Sequence, residues 1–210
     1  GEDMAGKVEA VGKAVTLFRA GDAVFGDLSN CGRGAFAEYV AVPESALVAK
    51  PANITFEAAA ATPMAAVTAL QGLRNIGKIQ AGQKVLVNGA SGGVGSFAVQ
   101  IAKALGAEVT GVSSTRKLDG LRALGADHVI DYTREDFTRN EQHYDLILAA
   151  NGNRSISDYQ RALSPNGVYV MAGGAMSQMM QAMLLGPVIS MTGKKKMRSL
   201  MAKPNTADLA

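Results

Sequence analysis

The sequence predicts an α/β fold in which a doubly wound parallel sheet follows a smaller antiparallel β region. From residue 83 onward, apolar strand-like runs alternate with helix-like runs, which is typical of a parallel sheet with helices on both faces. The run KVLVN (84–88) is almost continuously apolar, as expected of a strand that is buried on both sides. Residues 1–50 instead hold short strand-like runs separated by turn-forming residues, which indicates antiparallel pairing.

The composition limits the classes of protein to which the chain can belong. Of its 210 residues, 48% are hydrophobic and 19% are charged, which is ordinary for a globular α/β protein. A formal net charge of +3 gives no sign of a nucleic-acid-binding surface. The single cysteine, Cys31, cannot form a disulfide within the chain, and one cysteine with two histidines argues against a structural zinc site. Such cysteine usage suits a reducing compartment, so we expect a cytoplasmic protein.

The residues before the alternating region predict strands followed by helices. The strand-like runs are KVEAVG, DAVFG, AFAEYVAV and ALVAK, and we expect Tyr39 in the third run to lie in the core. The alanine-rich segment 55–73 predicts two helices. Thr55 is the expected N-cap of the first, and the second is expected to begin at Pro63 with Thr62 as its N-cap.

The alternating region predicts the strands KVLVN, EVTGVS, HVIDY, YDLILAA and GVYVMAG. Between them lie the helix-like runs VGSFAVQIAKALG, RKLDGLRALG and RSISDYQRALS. Apolar residues recur at helical spacing in these runs. The three helices are expected to end at Gly106, at Gly125 and just before Pro165, because glycine and proline commonly terminate helices.

The turn after the first of these strands, NGASGGVG (88–95), fits two different functional motifs. As GASGG it matches the nucleophile elbow G-x-S-x-G, which would make Ser91 the nucleophile of a hydrolase. As ASGGVG it matches a variant of the dinucleotide-binding loop, whose glycines let a pyrophosphate approach a helix N-terminus. A serine hydrolase of this architecture needs a histidine beyond the last core strands, and the last histidine, His143, precedes a strand. The dinucleotide interpretation is therefore favoured, with a glycine-rich turn that binds nothing as the remaining alternative.

The end of the next strand indicates which dinucleotide is bound. Sites that prefer NAD place Asp or Glu there to accept hydrogen bonds from the ribose, whereas sites for NADP offer hydroxyl groups and cations to the 2′-phosphate. In EVTGVSSTRKLD, no acidic residue lies between Glu108, at the start of the strand, and Asp119, in the following helix. The polar and charged residues in this interval are Ser113, Ser114, Arg116 and Lys117. The pattern favours NADPH, and the alternative is an ordinary solvated helix start.

Several stretches, in order along the chain, resemble the zinc-free quinone oxidoreductase branch of the medium-chain dehydrogenase/reductase superfamily. They are DMAGKVEAVG, GDAVFGDL, GAFAEYVAV, AAATPMAAVTAL, VLVNGASGGVGSFAVQIAKALGAEVTGV, LGADHVIDY and GVYVMAGG. The resemblance implies part of a GroES-like β-barrel domain joined to a Rossmann-type domain, with NADPH bound in the cleft between them. It also implies hydride transfer to a quinone or an α,β-unsaturated carbonyl.

The resemblance also assigns residues to the cofactor. At the pyrophosphate it implies Ser91, Gly92, Gly93 and Val94. At the adenosine end it implies Ser114 and Lys117 on the 2′-phosphate with Arg116 beside them, and Tyr132 near the adenosine. At the nicotinamide end it implies Asn151, Gly173 and Thr68. The segment Gly1-Glu2-Asp3 stands where the zinc-dependent branch has Gly-His-Glu, so the resemblance implies catalysis without a metal, and it assigns no catalytic residue.

The expected domain boundaries follow from the same resemblance. We expect part of the barrel domain at 1–55, connecting helices at 56–80, the Rossmann-type domain at 81–203 and the start of a return to the barrel domain at 204–210. Members of the superfamily are longer and begin well before the position that matches Gly1. We therefore expect the chain to be a fragment of a longer protein.

Eight of the ten methionines fall between Met171 and Met201. Helical spacing places five apolar residues of AMSQMMQAMLL on one face: Met176, Met179, Met180, Met183 and Leu184. The opposite face carries three polar residues: Ser177, Gln178 and Gln181. The alternatives for the apolar face are packing within the chain or in a homodimer, a lid over a hydrophobic substrate, and peripheral membrane contact through 175–198. A transmembrane span is not expected, because Gly186-Pro187 interrupts the apolar run.

These observations lead to three ordered functional hypotheses. The first is an NADPH-dependent oxidoreductase that reduces a quinone or an α,β-unsaturated carbonyl without a metal. The second is an NADPH-binding sensor or structural protein without turnover, which NADPH oxidation assays with a panel of quinones would distinguish from the first. The third is a serine hydrolase that uses Ser91, which labelling by a fluorophosphonate probe would reveal.

Overall fold

The computed structural model describes the backbone of residues 1–210 and every side chain except that of Thr192. Contacts divide the chain into two units, and each is described by itself. Unit 1 comprises Gly1–Val67 and Lys203–Ala210, and unit 2 comprises Thr68–Ala202. Unit 1 therefore includes the first predicted helix, which the expected domain boundaries place in a separate connecting segment. The boundaries of the functional domains remain a prediction.

Strands dominate the first part of the chain, and strands and helices alternate in the rest. In chain order the elements are β1 (Asp3–Lys7), β2 (Ala23–Asp27), β3 (Leu47–Ala49), α1 (Phe56–Ala60), α2 (Pro63–Leu70), β4 (Lys84–Asn88), α3 (Gly93–Ala104), β5 (Glu108–Ser113), α4 (Leu118–Ala123), β6 (His128–Asp131), β7 (Tyr144–Ala149), α5 (Ile156–Ala162), β8 (Leu163–Met171), α6 (Met176–Thr192), β9 (Lys196–Ser199) and α7 (Thr206–Leu209). A π-helical turn (Gln71–Ile76) extends α2, and 3-10 turns lie at Glu44–Ala46 and Thr115–Lys117.

Unit 1 contains an antiparallel sheet in the strand order β1-β2-β3. β1 pairs with β2 along its whole length, so that Ala5 lies opposite Phe25, and β3 pairs with the other edge of β2. Apolar side chains of β2 and the residue that follows it, among them Val24, Phe25 and Leu28, are buried. The prediction of antiparallel β structure in this region is confirmed.

Three predictions for unit 1 are wrong. The run KVEAVG (7–12) is not a strand, because β1 spans Asp3–Lys7 and ends at the first residue of that run. The run AFAEYVAV forms no strand, and Phe36 and Tyr39 are 96% and 74% exposed, so Tyr39 is not a core residue. No strand of the described residues pairs with this run, and an unpaired segment cannot bury alternate side chains as a sheet does. Thr62 does not cap α2 with its side chain, because its hydroxyl donates to a carbonyl of α1 at 2.7 Å. The Asp3 carboxylate accepts the Met64 N–H at 3.2 Å instead.

Unit 2 contains a six-stranded parallel sheet in the order β6-β5-β4-β7-β8-β9. The chain builds outward from β4 to β6 and then returns to β7 on the other side of β4, so the strand order reverses between β4 and β7. Successive side chains of a strand point to opposite faces. Accordingly Val85 and Val87 belong to one buried apolar cluster and Leu86 to another. The predicted doubly wound α/β fold is confirmed.

The helices between these strands end near the predicted glycines. α3 ends at Ala104 and α4 at Ala123, each two residues before a glycine with positive φ. Gly106 has φ +80° and Gly125 has φ +96°, a conformation that lets the chain turn back into the next strand. α5 ends at Ala162, before Pro165 as predicted.

Helix α6 turns most of its apolar residues towards solvent. Four of the five apolar residues predicted to share a face are more than half exposed: Met176, Met180, Met183 and Leu184. Gln178, from the predicted polar face, is only 3% exposed, and Met179 is half-buried. The predicted division of the helix into faces is therefore only partly correct, because α6 buries a glutamine. Among the residues that the structure describes, no helix is both long and apolar enough to cross a membrane.

Candidate functional site

The reversal of strand order between β4 and β7 marks the edge of the unit 2 sheet at which a ligand is expected. In open α/β sheets, ligands bind outside the carboxyl ends of the strands where the strand order reverses. We call this side of the sheet the carboxyl edge. Backbone hydrogen bonds join the ends of β4 and β7 at this edge. The N–H groups of Ala150 and Asn151, which follow β7, both donate to the carbonyl of Asn88, the last residue of β4, at 3.0 and 3.1 Å.

The N-terminus of α3, at the carboxyl edge, carries backbone donors without a partner among the described residues. The N-cap residue Gly92 has an extended backbone (φ −80°, ψ 174°) and no side chain that could cap the helix. The first helical hydrogen bond runs from the Ser96 N–H to the Gly92 carbonyl, at 2.8 Å. The N–H groups of Gly93, Val94 and Gly95 precede it. Together with the positive end of the helix dipole, these three donors form a site for an anion.

Two glycines of this turn have different neighbours. A Cβ atom at Gly95 would overlap the Gly89 carbonyl oxygen and come within 2.7 Å of the Ala90 Cα, so α3 packs on the turn only because residue 95 has no side chain. A Cβ atom at Gly92 would meet only the Gly89 carbonyl oxygen, at 3.5 Å, which is ordinary contact. The space beside Gly92 is therefore open to a ligand.

Hydrogen bonds bring three of the predicted residues together at the ends of β4, β5 and β6. The Oγ atoms of Ser91 and Ser113 are 2.7 Å apart, and Ser113 is only 4% exposed. The Tyr132 N–H donates to the Ser113 carbonyl at 3.1 Å, while the Tyr132 side chain is 49% exposed. The residues predicted for the pyrophosphate and for the adenosine thus occupy one continuous part of the carboxyl edge.

The turn after β5 presents two cations to solvent. Ser114 is half-buried and immediately precedes the 3-10 turn Thr115–Lys117. Arg116 and Lys117 are exposed, and neither has a carboxylate partner in the part of the chain that the structure describes. Their charges are therefore available to an anionic ligand at the end of β5.

Asp131, at the end of β6, is a residue of this edge that the sequence analysis missed. Its carboxylate accepts from the Thr115 hydroxyl, from the Thr133 hydroxyl at 2.7 Å and from the Thr133 N–H at 3.0 Å. The hydrogen bond from Thr115, followed by that from Thr133, holds the pKa of Asp131 below its usual range. Because both carboxylate oxygens are engaged, Asp131 fixes the turn that carries Arg116 and Lys117. The signal in the sequence is the Asp-Tyr-Thr run, since an Asp commonly bonds the backbone two residues on.

The other half of the carboxyl edge, formed by β7 and β8, is held by backbone hydrogen bonds. The Gly152 N–H donates to the Gly173 carbonyl at 2.9 Å, and the Gly173 N–H donates to the Ala149 carbonyl at 3.1 Å. The side chain of Asn151 is exposed at this edge. Thr68 lies on α2 and is 9% exposed, and no hydrogen bond of the described residues joins it to the edge. Its assignment to the nicotinamide remains a prediction.

A buried polar network, which the sequence analysis also missed, lies beneath this half of the edge. Asn88 is 5% exposed and donates to the Tyr159 hydroxyl at 2.7 Å and to the Asn151 carbonyl at 3.2 Å. The ring of Tyr159 lies 4.6 Å from that of Tyr169, whose hydroxyl accepts from the Gln178 amide. Burial raises the pKa of both tyrosines, so both hydroxyls remain protonated. Side chains of α5 and α6 thus belong to the same network as Asn88, which donates to the backbone carbonyl of Asn151.

The structure separates Ser91 from both histidines. Ser91 follows the carboxyl end of β4, whereas His128 begins β6 and His143 precedes β7, at the opposite edge of the parallel sheet. The His128 Nε2 lies 3.0 Å from the Glu108 Oε1, and Ser91 pairs with Ser113. A serine nucleophile of this type needs a histidine within hydrogen-bond reach. The serine hydrolase hypothesis therefore does not fit the described residues.

The described residues do not fit a metal site. They contain no group of three or more His, Cys, Asp or Glu side chains that could hold a metal ion. In the segment that stands in place of Gly-His-Glu, Glu2 pairs with Arg33 at 3.0 Å and Asp3 accepts the Met64 N–H. Cys31 is a half-buried free thiol.

Two protein-family models match the chain. One is described as "Zinc-binding dehydrogenase" and matches residues 93–209, and the other is described as "Alcohol dehydrogenase GroES-like domain" and matches residues 1–52. The first match covers more than half of the chain. It begins at the first residue of α3, so it includes the uncapped helix N-terminus.

Individual proteins are similar over most of the chain. It is 41% identical over 160 residues to the NADPH-dependent alkenal/one oxidoreductase, chloroplastic, of Arabidopsis thaliana, over 72% of the chain and 41% of that protein. It is 42% identical over 176 residues to the quinone-oxidoreductase homolog, chloroplastic, of Spinacia oleracea, over 80% of the chain and 54% of that protein. The solved quinone oxidoreductase from Coxiella burnetii aligns with a TM-score of 0.84 at 29% identity, over 100% of this chain and 64% of that one. The chain spans about half the length of the curated relatives it matches.

Proposed function

Because the chain belongs to the zinc-binding dehydrogenase family, within the medium-chain dehydrogenase/reductase superfamily, we propose that it forms the cofactor-binding part of an NADPH-dependent oxidoreductase. The proposed electron acceptor is a quinone or an α,β-unsaturated carbonyl. Relatives named as a quinone oxidoreductase homolog and as an alkenal/one oxidoreductase support this choice of acceptor. The proposal extends to a cytoplasmic location and a homodimer, which rest on the sequence alone.

The observation that carries the proposal is the uncapped N-terminus of α3 beside an open glycine. A pyrophosphate is an anion, and it can accept the unpaired N–H groups of Gly93, Val94 and Gly95 without displacing any internal hydrogen bond. Gly92 lets the phosphate approach because a side chain there would occupy the open space beside the turn. Ser91, half of the serine pair with Ser113, adds a hydroxyl next to this position.

The adjacent turn supports NADPH over NADH. A 2′-phosphate at the end of β5 would meet the exposed cations Arg116 and Lys117 and the hydroxyl of Ser114. A site for NADH needs a carboxylate that is free to accept the ribose hydroxyls. The nearby Asp131 is already engaged by Thr115 and Thr133, so this edge offers the ribose no free carboxylate among the residues assigned to it.

The β7–β8 half of the carboxyl edge is the proposed place of the nicotinamide. When bound, the reduced nicotinamide supplies a hydride to the acceptor, and a proton from solvent completes the reduction. The protein's own contribution is positioning: Asn151 and Gly173 border this half, and the Asn88–Tyr159 hydrogen bond holds its backbone from below. Holding reactants in place can supply a large share of a rate enhancement. The described residues offer no set of side chains that fits zinc.

A titration of cofactor binding tests the proposal. NADPH should bind at least about tenfold more tightly than NADH, which corresponds to about 1.4 kcal/mol, as measured by fluorescence. The double variant Arg116→Glu, Lys117→Glu should abolish this preference and leave NADH binding nearly unchanged. The matched control is Lys13→Glu, Arg19→Glu, which reverses two exposed cations of unit 1. Equal dissociation constants for NADPH and NADH in the unaltered chain would contradict the proposed specificity.

The second hypothesis, a nucleotide-binding protein without turnover, requires a separate measurement. Steady-state oxidation of NADPH is followed with a panel of quinones and α,β-unsaturated carbonyls. Acceptor-dependent oxidation is the result expected of the reductase. Tight NADPH binding without oxidation by any acceptor would favour the sensor or structural protein.

A further inference from the structure

Two aspartates of unit 2 form the same local turn. The Asp131 Oδ1 accepts the Thr133 N–H at 3.0 Å and the Thr133 hydroxyl at 2.7 Å. In the same way, the Asp136 Oδ1 accepts the Thr138 N–H at 3.0 Å and the Thr138 hydroxyl at 2.8 Å. Aspartate commonly closes a turn by bonding the backbone two residues on. One carboxylate oxygen is enough for this, so each aspartate has a second oxygen for another partner.

The second oxygens of the two aspartates have different partners. The Asp136 Oδ2 faces two guanidinium groups, that of Arg139 at 3.8 Å and that of Arg154 at 3.4 Å. The Asp131 Oδ2 instead accepts the hydroxyl of Thr115, 16 positions earlier in the chain. Thr115 is the first residue of the 3-10 turn after β5, so this hydrogen bond joins the ends of two strands. We call the Thr115–Asp131 hydrogen bond the cross-strand tie.

The cross-strand tie continues the pairing of β5 with β6 beyond the ends of both strands. Ser113 and Asp131, the last residues of β5 and β6, lie opposite each other in the sheet. The Tyr132 N–H donates to the Ser113 carbonyl at 3.1 Å, and the tie then reaches Thr115. Asp131 is only 9% exposed, so water competes little for its oxygens. The tie therefore belongs to the ordered part of the carboxyl edge.

The turn that carries Arg116 and Lys117 is short and exposed. It is three residues long, and its N-cap, Ser114, makes no side-chain hydrogen bond to it. Within the turn, the Lys117 N–H donates to the Ser114 carbonyl at 2.9 Å, while all three side chains are exposed. A short 3-10 turn with exposed side chains is easily displaced. The hydroxyl of Thr115, which also lies 3.4 Å from that of Thr133, attaches this turn to the end of β6.

The attachment bears on cofactor specificity, because Arg116 and Lys117 are the proposed partners of the 2′-phosphate. We propose, resting on the NADPH function proposed above, that Asp131 is a positioning residue for the 2′-phosphate. Through Thr115 it holds the turn with its two cations in place, without itself contacting the phosphate. The direct effect of its charge is opposite, because a carboxylate repels a phosphate. Loss of Asp131 therefore strengthens phosphate binding through charge and weakens it through positioning, which makes the sign of the effect decisive.

Calorimetric titration with two nucleotides isolates the contribution of the 2′-phosphate. Adenosine 2′,5′-bisphosphate carries this phosphate and adenosine 5′-phosphate lacks it, and the unaltered chain should bind the first at least about tenfold more tightly. Thr115→Val removes the cross-strand tie at an exposed position, where folding should not be affected. It should lower the ratio of the two affinities at least about fivefold and change the binding of adenosine 5′-phosphate less than about twofold. Thr115→Ser keeps the hydroxyl and should keep the ratio.

A double-mutant cycle determines whether Thr115 acts through Asp131. Asp131→Ala should lower the ratio as much as Thr115→Val does, and the double variant should be no worse than either single one, because one interaction cannot be removed twice. The matched control is Asp136→Ala, which removes the carboxylate of the same kind of turn and should leave the ratio unchanged. The proposal is overturned if Asp131→Ala raises the ratio, if the two single effects add, or if Asp136→Ala has the same effect as Asp131→Ala.

Hydrogen exchange without a ligand separates the role of Asp131 from the assignment of the cofactor. The Lys117 N–H, which bonds within the turn, should exchange at least about fivefold faster in Thr115→Val than in the unaltered chain, because the turn opens more often. Unchanged exchange, or a nucleotide preference that persists in Thr115→Val, would overturn the role of Asp131 alone. Equal binding of the two nucleotides by the unaltered chain would contradict the proposed NADPH site itself, and the role of Asp131 with it.

Discussion

Helices α3 and α5 begin at the same carboxyl edge, after the neighbouring strands β4 and β7. They differ in whether the side chain of the N-cap residue accepts a backbone N–H of the first turn. At α5 the Ser155 Oγ accepts the Asp158 N–H at 3.2 Å, so the side chain of the N-cap satisfies a backbone donor. At α3 the N-cap is Gly92, and no side chain satisfies the first turn. The first turn of α3 therefore has no internal cap, and this is where we propose that the pyrophosphate binds.

Without a bound ligand, α3 lacks the stabilising free energy that an N-cap side chain gives to a helix. A hydroxyl or carboxylate N-cap contributes about 1 kcal/mol to a helix. An anion bound at α3 recovers that contribution only when the cofactor is present, which couples stability to occupancy. Substitutions that cap α3, or remove the cap of α5, should therefore have opposite effects on stability and unequal effects on binding.

The largest expected effect comes from giving α3 an internal cap. In Gly92→Asp, the new carboxylate can accept the Gly95 N–H, and the backbone of residue 92 is already extended as a cap requires. The free energy of unfolding should rise by about 1 kcal/mol because the cap and the loss of a flexible glycine both favour the folded state. NADPH binding should fall by at least about a hundredfold, because a carboxylate beside the pyrophosphate costs several kcal/mol. Urea denaturation and fluorescence titration measure the two effects.

Gly92→Ala is the control that separates charge from steric exclusion. Its Cβ atom makes only ordinary contact with the Gly89 carbonyl oxygen, at 3.5 Å, so the variant should fold normally. It should bind NADPH more weakly than the unaltered chain but better than Gly92→Asp. Undiminished NADPH binding by Gly92→Asp would show that the pyrophosphate does not lie at α3.

A smaller effect, confined to stability, is expected at α5. Ser155→Ala removes the hydroxyl that accepts the Asp158 N–H and donates to the Asp158 carboxylate at 2.7 Å. The cost should be about 1 kcal/mol, with NADPH binding changed by less than about twofold. That hydroxyl is the main cause of the lowered pKa of Asp158, so the pKa should rise in the variant, which NMR titration can follow. Ser155→Asp, which keeps a cap, should retain most of the stability. If Ser155→Ala weakened NADPH binding as much as Gly92→Asp does, the proposal that the cofactor binds at α3 and not at α5 would be contradicted.

The smallest effect concerns a third helix N-terminus, that of α2 in unit 1, where the Asp3 carboxylate accepts the Met64 N–H. Burial raises the pKa of Asp3 from 3.8 to about 6, and the charges of Asp27 and Glu2 add to this rise. A raised carboxyl pKa means that the folded chain binds the proton more tightly than the unfolded chain. The resulting stability is fully present below pH 3.8 and is lost as the pH rises through about 6.

Asp3→Asn isolates this contribution because an amide oxygen can still accept the Met64 N–H but does not titrate. Between pH 7 and pH 5, the urea midpoint of the unaltered chain should rise relative to that of the variant. Comparing the two chains at each pH cancels the titration of the other carboxylates. Parallel pH profiles would indicate that Asp3 has an ordinary pKa.

Much of unit 2 could be predicted from the sequence because its signals are local. The continuous apolar run of β4, the glycines with positive φ after α3 and α4, and the glycine-rich turn are each encoded within a few residues. The same is true of Thr55, whose hydroxyl caps α1 as predicted by accepting the Ala58 N–H at 3.2 Å. The segment from Ser91 to Lys117 was predicted as one site, and hydrogen bonds join Ser91 to the end of β5.

The features that the sequence did not predict depend on distant residues. The cap of α2 comes from Asp3, 61 positions before its partner, so the more local residue Thr62 was the natural but incorrect choice. Tyr39 lies in a run with strand-like alternation, but a strand needs a paired neighbour. Gln178 is polar and lies on a helix, yet it is buried, and its amide nitrogen donates to the hydroxyl of Tyr169, nine positions earlier in the chain. Local patterns cannot show which of these partners the fold will bring near.

The register of β4 bears on the order in which the chain assembles the two halves of the carboxyl edge. β4 pairs with β5 across 24 positions, Lys84 opposite Glu108, and with β7 across 61 positions, Val85 opposite Leu146. Closing the longer loop costs about 0.8 kcal/mol more in chain entropy. The half that we propose for the phosphates is therefore the easier one to close, because β4, α3 and β5 are consecutive in the chain. We expect it to be the earlier part of the sheet to form during folding, with the β7–β8 half added to a turn that is already in place.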